Sequence, residues 1–449
     1  MDPITELLRR MDANADCKAI LCDDVAYSYG DVLDLKKRAD VALGESAVSP
    51  GAVVAVHADY SPASMAVLMS LIKNGNIIVP LSNGLEANRE KYLAISDPDF
   101  VIEAGGTELE VHKRTAIGQK SSLILGLVEK STPGLVLFTS GTTGNPKAVL
   151  HDLKRLMSKF LNANKRYTTL CFLLFDHIGG VDTYFYSLFS GGLAVFPRTR
   201  DPEHVCQLIE RHRVEVLPVS PTFLNLVLLS EAHKRFDMSS LRIITFGAER
   251  MSDYLLKRVK EELGSAQLTQ KYGITEIGSP ASKTHPEDAS LIKVAGDKVD
   301  VRVIDGMLHV RTATAMIGYL NAESPFTNDG WYNTGDAVEV HGEYLRILGR
   351  KSDLINVGGE KVYPAEVESV ISELDAVLEV VVFGERNPLV GEMVCARVRI
   401  VGGEDESRFV SDLKKHCGQK LEKHKVPVRV YLTEEKLHSM RYKKIGGKS

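Results

Sequence analysis

Six cysteines are too few and too scattered to build a metal or disulfide framework. Cys17, Cys22, Cys171, Cys206, Cys395 and Cys417 include no CxxC pair. That argues against zinc ribbons and thioredoxin-type redox motifs and leaves each thiol as a small apolar residue in a reduced compartment. Long hydrophobic runs are missing as well, since no apolar segment approaches the roughly 20 residues that a membrane helix needs. The opening stretch MDPITELLRRMDANADC has neither the basic start nor the apolar run of a secretion signal. Nor is there an excess of one charge: a formal net charge of −4 over 449 residues gives no electrostatic reason to expect nucleic acid or an acidic membrane as partner. Internal repeats and low-complexity tracts are absent too. The expectation is a cytoplasmic globular chain whose partners have to be read from its sites.

What is present has the texture of an enzyme. Hydrophobic residues make up 44% and charged residues 25%, and the length suits one large unit or two or three smaller ones. Short β-branched runs alternate with amphipathic segments: GAVVAVHA with SPASMAVLMSLIKNG, TTLCFLLF with VDTYFYSLFSGG, LAVFP with DPEHVCQLIERHR, VEVLPVS with PTFLNLVLLSEAH, and LRIITFG with MSDYLLKRVKEELG. That order predicts an α/β fold of parallel strands joined by helices. Asp201 and Pro202 read as a helix start, with Val205, Leu208 and Ile209 on its buried face. From about Ala295 the pattern turns strand-rich and glycine-punctuated, which predicts a small β unit over about 295–350 closing a large domain of residues 1–350. Residues 351–449 carry a compact αβ pattern, with Phe409, Leu413, Cys417 and Leu421 on one apolar helix face.

The stretch LVLFTSGTTGNPKAVLHD, Leu135 to Asp152, calls for a chemical reason. A strand ends in a loop where Gly141 and Gly144 let backbone N–H groups turn toward an anion. Thr139, Ser140, Thr142 and Thr143 supply hydroxyls, and Lys147 adds a charge. This reads as a phosphate clamp, against the plainer alternative of a hydrophilic surface turn. The spacing is not GxxxxGK[ST]. Counted from Gly141, Pro146 takes the second glycine's place and Ala148 that of the magnesium-binding hydroxyl, which argues against a P-loop kinase or GTPase.

The segments TSGTTGNPKAV, KYGITE, WYNTGD, GRKSDLINVGGEKVYPAEVE and a lysine near the C-terminus occur in this order and at these separations. Together they resemble the adenylate-forming superfamily of acyl-CoA synthetases, adenylation domains and luciferases, closest to its acyl- and aryl-acid CoA ligase branch. The resemblance runs from about Ser61 to Lys444. It implies a large N-terminal domain of layered β-sheets flanked by helices with a small barrel-like β unit, and a small mobile C-terminal α+β lid. It also implies a two-step reaction: a carboxylate attacks the α-phosphate of ATP and expels pyrophosphate, and a thiol then takes the acyl group from AMP. On those terms Thr139, Ser140, Gly141, Thr142, Thr143, Gly144 and Lys147 hold the β- and γ-phosphates. Thr275 holds the α-phosphate and Glu276 a Mg²⁺ ion, through oxygen. Tyr272 and Gly273 of YGITE, with Gly247, Ala248 and Glu249 of FGAE, line the adenine, and Asp336 with Arg350 takes the ribose hydroxyls.

The same resemblance assigns Gly358 and Gly359 to a loop that leaves room for a pantetheine arm, and puts Ser352 at a hinge where the family has Asp or Lys. Lys444 corresponds to a lysine that bridges the carboxylate and the α-phosphate, one cation between two approaching anions. Lys443 is its competitor, and with Lys448 the three also read as a solvated basic tail. His438 and Lys443 stand where the family has Pro and Gly, and Ala148 stands for a Gly. For the acid pocket the resemblance points to His177 and Gly180 at the wall and Ser220 to Phe223 beside it. Asp176 is not read as a ligand for a substrate ammonium, and His177 is equally a satisfied core residue. The expected protein is an ATP- and Mg²⁺-dependent ligase that joins a small carboxylic acid to CoA. Alternatives are transfer to the phosphopantetheine of a separate acyl or peptidyl carrier protein, transfer to an amine, or a nucleotide-binding protein without turnover. The identity of the acid and the oligomeric state, a homodimer included, stay open at this point.

Overall fold

The alternating runs resolve, in the computed structural model, into two seven-stranded sheets. The structure describes residues 1–83, 86–115, 118–139, 145–296, 298–402, 405–439, 442 and 444. In the first sheet Gln267–Gln270, Ile243–Phe246, Val216–Val219, Thr168–Leu170, Leu193–Phe196 and Lys18–Cys22 run parallel, and Val25–Ser28 returns antiparallel at the edge. In the second, Phe100–Gly105, Val53–His57, Ile77–Leu81 and Gly134–Thr139 are parallel, and Lys147–Asp152 pairs antiparallel with the last of them. Such strands read as short continuous apolar runs because both faces are covered. Helix Pro62–Asn74 is buried from Pro62 through Ile72, so it lies inside the molecule. With Tyr29–Glu45 and Ile178–Ser190 it fills a core that reaches one sheet at Ile20, Ala194 and Phe196 and the other at Val54, Ile102 and Leu137.

Helix Pro202–His212 starts as its sequence reads: Asp201 accepts the His204 N–H at 2.9 Å, and Val205, Leu208 and Ile209 are buried. The strand expected over TTLCFLLF is shorter, ending at Leu170. Beyond it the chain swings under helix Ile178–Ser190, where a Cβ on Gly180 would stand 2.0 Å from the Leu174 carbonyl oxygen. The crossing requires glycine.

An antiparallel six-stranded sheet follows, taking its first strands from Ser282–Thr284 and Leu291–Val294, before Ala295, and its last from Tyr344–Arg350. After a one-turn helix at Lys351–Asp353 comes a five-stranded sheet built on the long hairpin Val377–Asn387 and Gly391–Ile400. Helices Pro364–Ile371 and Glu406–Lys420 pack on it through Val367, Ile371, Phe409, Leu413 and Cys417, and Leu421 joins this core at its margin. Among the described residues, no helix is long and apolar enough to cross a membrane.

Candidate active site

Thr139 and Lys147, which flank the expected phosphate clamp, face each other across an antiparallel ladder. Ser140, Gly141, Thr142, Thr143 and Gly144 lie outside the described residues. The backbone on either side of Lys147 is braced by Asn321, whose side-chain amide donates to the Pro146 carbonyl at 2.9 Å and accepts the Ala148 N–H at 2.9 Å. The Lys147 ammonium stands 4.9 Å from the centre of the Tyr319 ring, a cation–π contact. The Tyr319 hydroxyl donates to Glu276 at 2.9 Å. Burial and the neighbouring Glu276 push the Tyr319 phenol far above its ordinary pKa, so it stays a donor.

Tyr272, expected at the adenine, is a core residue. It packs with Val149, Ile277 and Tyr319, and its hydroxyl donates to Asp336 at 2.6 Å. Asp336 is buried and lies opposite Arg350 in the next strand, with the guanidinium Nε 3.6 Å from its carboxylate. Burial raises the Asp336 carboxyl above the usual range, against the opposing pull of Tyr272 and Arg350. Gly335, at φ +74°, supplies the left-handed turn just before it. The Thr275 carbonyl accepts from Nε2 of His151 at 2.7 Å. Burial pulls the His151 imidazole down to about 4, so it is neutral and carries its proton on Nε2. His151 belongs to strand Lys147–Asp152, which therefore ties Lys147 to YGITE.

FGAE lies against the same motif. A Cβ on Gly247 would meet the Lys271 carbonyl oxygen at 2.6 Å, and one on Gly273 would meet Ser279 Oγ at 2.6 Å. Ala248 adopts φ +67°, rarely tolerated by a residue with a Cβ. Beyond it Glu249 accepts the Thr222 hydroxyl at 2.6 Å and the backbone N–H of Lys444 at 2.5 Å. The Lys444 ammonium pairs at 2.5 Å with Glu368 of helix Pro364–Ile371. Desolvation works against its charge, but Glu368, Glu249 and Glu379 hold its pKa above the ordinary lysine value. A cavity of 370 Å³ opens here between the two units, lined by Thr222, Asn225, Glu249, Arg250, Glu379 and Lys444 among others. Lys443 and Lys448 lie outside the described residues.

At the expected acid pocket, His177 caps helix Ile178–Ser190, its Nδ1 accepting the Gly179 N–H at 3.2 Å. Asp176 is buried and accepts the Ser82 N–H at 3.3 Å. Ser220 caps helix Pro221–Leu229 and donates to the Tyr442 carbonyl at 2.6 Å. Gly358 and Gly359, at φ +63° and +96°, form a turn of the small unit held by the Val390 carbonyl and the Asn356 side chain. Ser352 donates to Asp353 at 2.8 Å in the exposed turn after Arg350.

A family model described as AMP-binding enzyme matches residues 7–325, and one described as AMP-binding enzyme C-terminal domain matches residues 366–444. This chain belongs to the AMP-binding enzyme family. A 3-[(3aS,4S,7aS)-7a-methyl-1,5-dioxo-octahydro-1H-inden-4-yl]propanoyl:CoA ligase of Mycobacterium tuberculosis is 34% identical over 63% of this chain and 59% of its own length. An indoleacetate–CoA ligase of Aromatoleum aromaticum is 29% identical over 83% of this chain and 82% of its own. The solved anthranilate CoA ligase AuaEII, in complex with anthranoyl-AMP, shares the fold with a TM-score of 0.84 at 19% identity, covering 99% of this chain and 95% of that one.

In this AMP-binding enzyme the structure brings Lys147, Tyr272, Glu276, Asp336 and Arg350 into one connected group, through Tyr319 and the core around it. Lys444 arrives elsewhere on the site, beside FGAE, with its ammonium on Glu368. For Gly180 the structure supplies a packing reason, the Leu174 carbonyl, that a pocket assignment alone does not contain. Asn321, Tyr319, His151, Glu368 and Tyr442 went unread in the sequence. A polar or aromatic residue in each carries no local pattern that marks it.

Proposed function

We propose that this AMP-binding enzyme is an AMP-forming acid–CoA ligase. One observation carries the reading: the flank of the phosphate loop, Glu276 and the Asp336–Arg350 pair come from separate segments and meet around two tyrosines, Tyr319 and Tyr272. The names of the two relatives, both CoA ligases, support CoA as acceptor.

In the first step a carboxylate oxygen bonds to the α-phosphorus while the bond to pyrophosphate breaks. An anion has to approach a polyanion, so cations and oriented donors in a water-poor site must offset the repulsion. Lys147 and the hydroxyls of its loop take the β- and γ-phosphates, and Thr275 takes the α-phosphate. Asp336 accepts from the ribose hydroxyls with Arg350 beside it. Lys444 leaves Glu368 and comes between carboxylate and phosphate. Glu276 would hold Mg²⁺, since its carboxylate offers the hard oxygen that ion prefers. When bound, the ion supplies neutralisation of phosphate charge. In the second step the thiol sulfur bonds to the acyl carbon, AMP leaves with the electron pair of the broken C–O bond, and the thiol proton goes to solvent. The small unit turns about Ser352 and Asp353 between the steps, and the Gly358–Gly359 turn passes the pantetheine arm. A cytoplasmic location goes with this reading, as do six free cysteines.

The test is ATP–pyrophosphate exchange over a panel of aryl and aliphatic acids, followed by addition of CoA, a carrier protein or amines. Exchange with at least one acid, and thioester formed with CoA, is the expected outcome. ATP binding without exchange for any acid would leave a nucleotide-binding protein, and turnover with amines alone would make it an amide synthetase.

A further inference from the structure

The tail carries an aromatic ring for which the two-step chemistry has no use. Tyr442, two residues before Lys444, has φ +51°, a backbone conformation costly for any residue with a side chain and kept only where the surroundings impose it. Those surroundings belong largely to the other domain. The Tyr442 ring centre lies 5.4 Å from that of Phe172 and 5.2 Å from that of Phe223, edge-on to the latter, and its carbonyl accepts the Ser220 hydroxyl. Phe172 and Phe223 are buried in the core of the first sheet.

The small unit meets the same ring. His438 stacks on it at 5.2 Å and 14°, and Nδ1 of His438 meets Glu379 of strand Val377–Asn387. His438 and Lys444, on either side of Tyr442 in the chain, form an antiparallel bridge. The ring is therefore held between the two units, and the N–H two residues on donates to Glu249.

We propose that Tyr442 is a positioning residue for the tail lysine: its ring seats in the Phe172–Phe223 slot for adenylate formation, sets the reach of Lys444, and leaves the slot for thiol transfer. The inference rests on the role given to Lys444 above. An aromatic seat suits a contact made and broken in each turnover. No ion has to be stripped of water at each docking, and edge-on ring geometry fixes orientation as an aliphatic contact would not.

The full-length protein with Tyr442→Ala or Tyr442→Phe tests this. Pyrophosphate exchange with the best acid of the panel and CoA thioester formation from the matching synthetic acyl-adenylate are measured separately. Amide hydrogen exchange of the 437–444 segment without substrates gives a readout that needs no acid. Tyr442→Ala should unprotect that segment and lower the kcat of exchange about tenfold or more, with thioester formation from the adenylate within about twofold of the parent. Tyr442→Phe, which keeps the ring, should behave like the parent in all three. Equal loss in both half-reactions, or an alanine variant with parental exchange and protection, would overturn the proposal. Lys444→Ala measured alongside separates the two ideas. If it keeps full exchange the lysine assignment falls, while lost protection in Tyr442→Ala would still establish the seat.

Discussion

Two groups of carboxylates in this protein are held in opposite ways. Asp336 and Glu276 sit on the large domain and take their hydrogen bonds from the neutral phenols of Tyr272 and Tyr319, with Arg350 3.6 Å away from Asp336. Glu249 of the large domain and Glu368 of the small unit are met by the backbone and the ammonium of one tail residue, Lys444. The first group is set within the large domain, which under the proposed function keeps it preorganised for the nucleotide. In the second, the Glu249 contact crosses between the units while the Glu368 pair lies within the small unit, so under the proposed function the crossing contact is the one that breaks and re-forms in each turnover.

If that contrast holds, damage to the tail should separate the half-reactions, and damage to the rigid group should not. Lys444→Ala gives the largest expected effect: pyrophosphate exchange falls by roughly 10²–10³-fold, as for loss of one donor to transition-state charge, while thioester formation from supplied acyl-adenylate persists. Equal loss in both steps would erase the distinction.

Asp336→Asn comes next. Losing charge-assisted hydrogen bonds should weaken ATP binding by about tenfold or more, measured by calorimetry. The same variant should be more heat-stable near neutral pH. Because burial raises the Asp336 carboxyl, the ionised form disfavours the fold above that raised pKa. The penalty, and the gain from Asn, fade as the pH falls through it toward the ordinary value of 3.8, so melting curves at both ends of that window check the sign. Tyr319→Phe is the mildest. It keeps the ring under Lys147 and removes one hydrogen bond to Glu276, which should raise the Mg²⁺ concentration for half-maximal exchange by about fivefold, near 1 kcal/mol. An unchanged Mg²⁺ dependence would detach Glu276 from the metal.

The candidate site was legible wherever chemistry imposes a local pattern. A loop that holds phosphate needs glycine, hydroxyls and a cation close together, and a carboxylate beside a glycine turn suits a ribose. The residues that hold these groups in place have no such pattern. His151 reaches Thr275 from 124 positions away, and Asn321 braces Pro146 from 175 away. The fold shows the same division. Helix Pro202–His212 announces itself through Asp201, Pro202 and its apolar stripe. The early end of strand Thr168–Leu170 and the close approach of Leu174 to Gly180 are not encoded in any stretch of TTLCFLLF.

Taken alone, the order of residues determined the α/β alternation and the expected phosphate clamp, acids and lysines to consider, because each depends on neighbours along the chain. Only the tertiary structure decided what those groups are bonded to: Asp336 to a buried phenol, Lys444 to Glu368, Tyr442 to a slot on the other unit. Such pairings depend on how surfaces distant in sequence pack against each other. Many partners are equally compatible with the same local pattern until packing selects one.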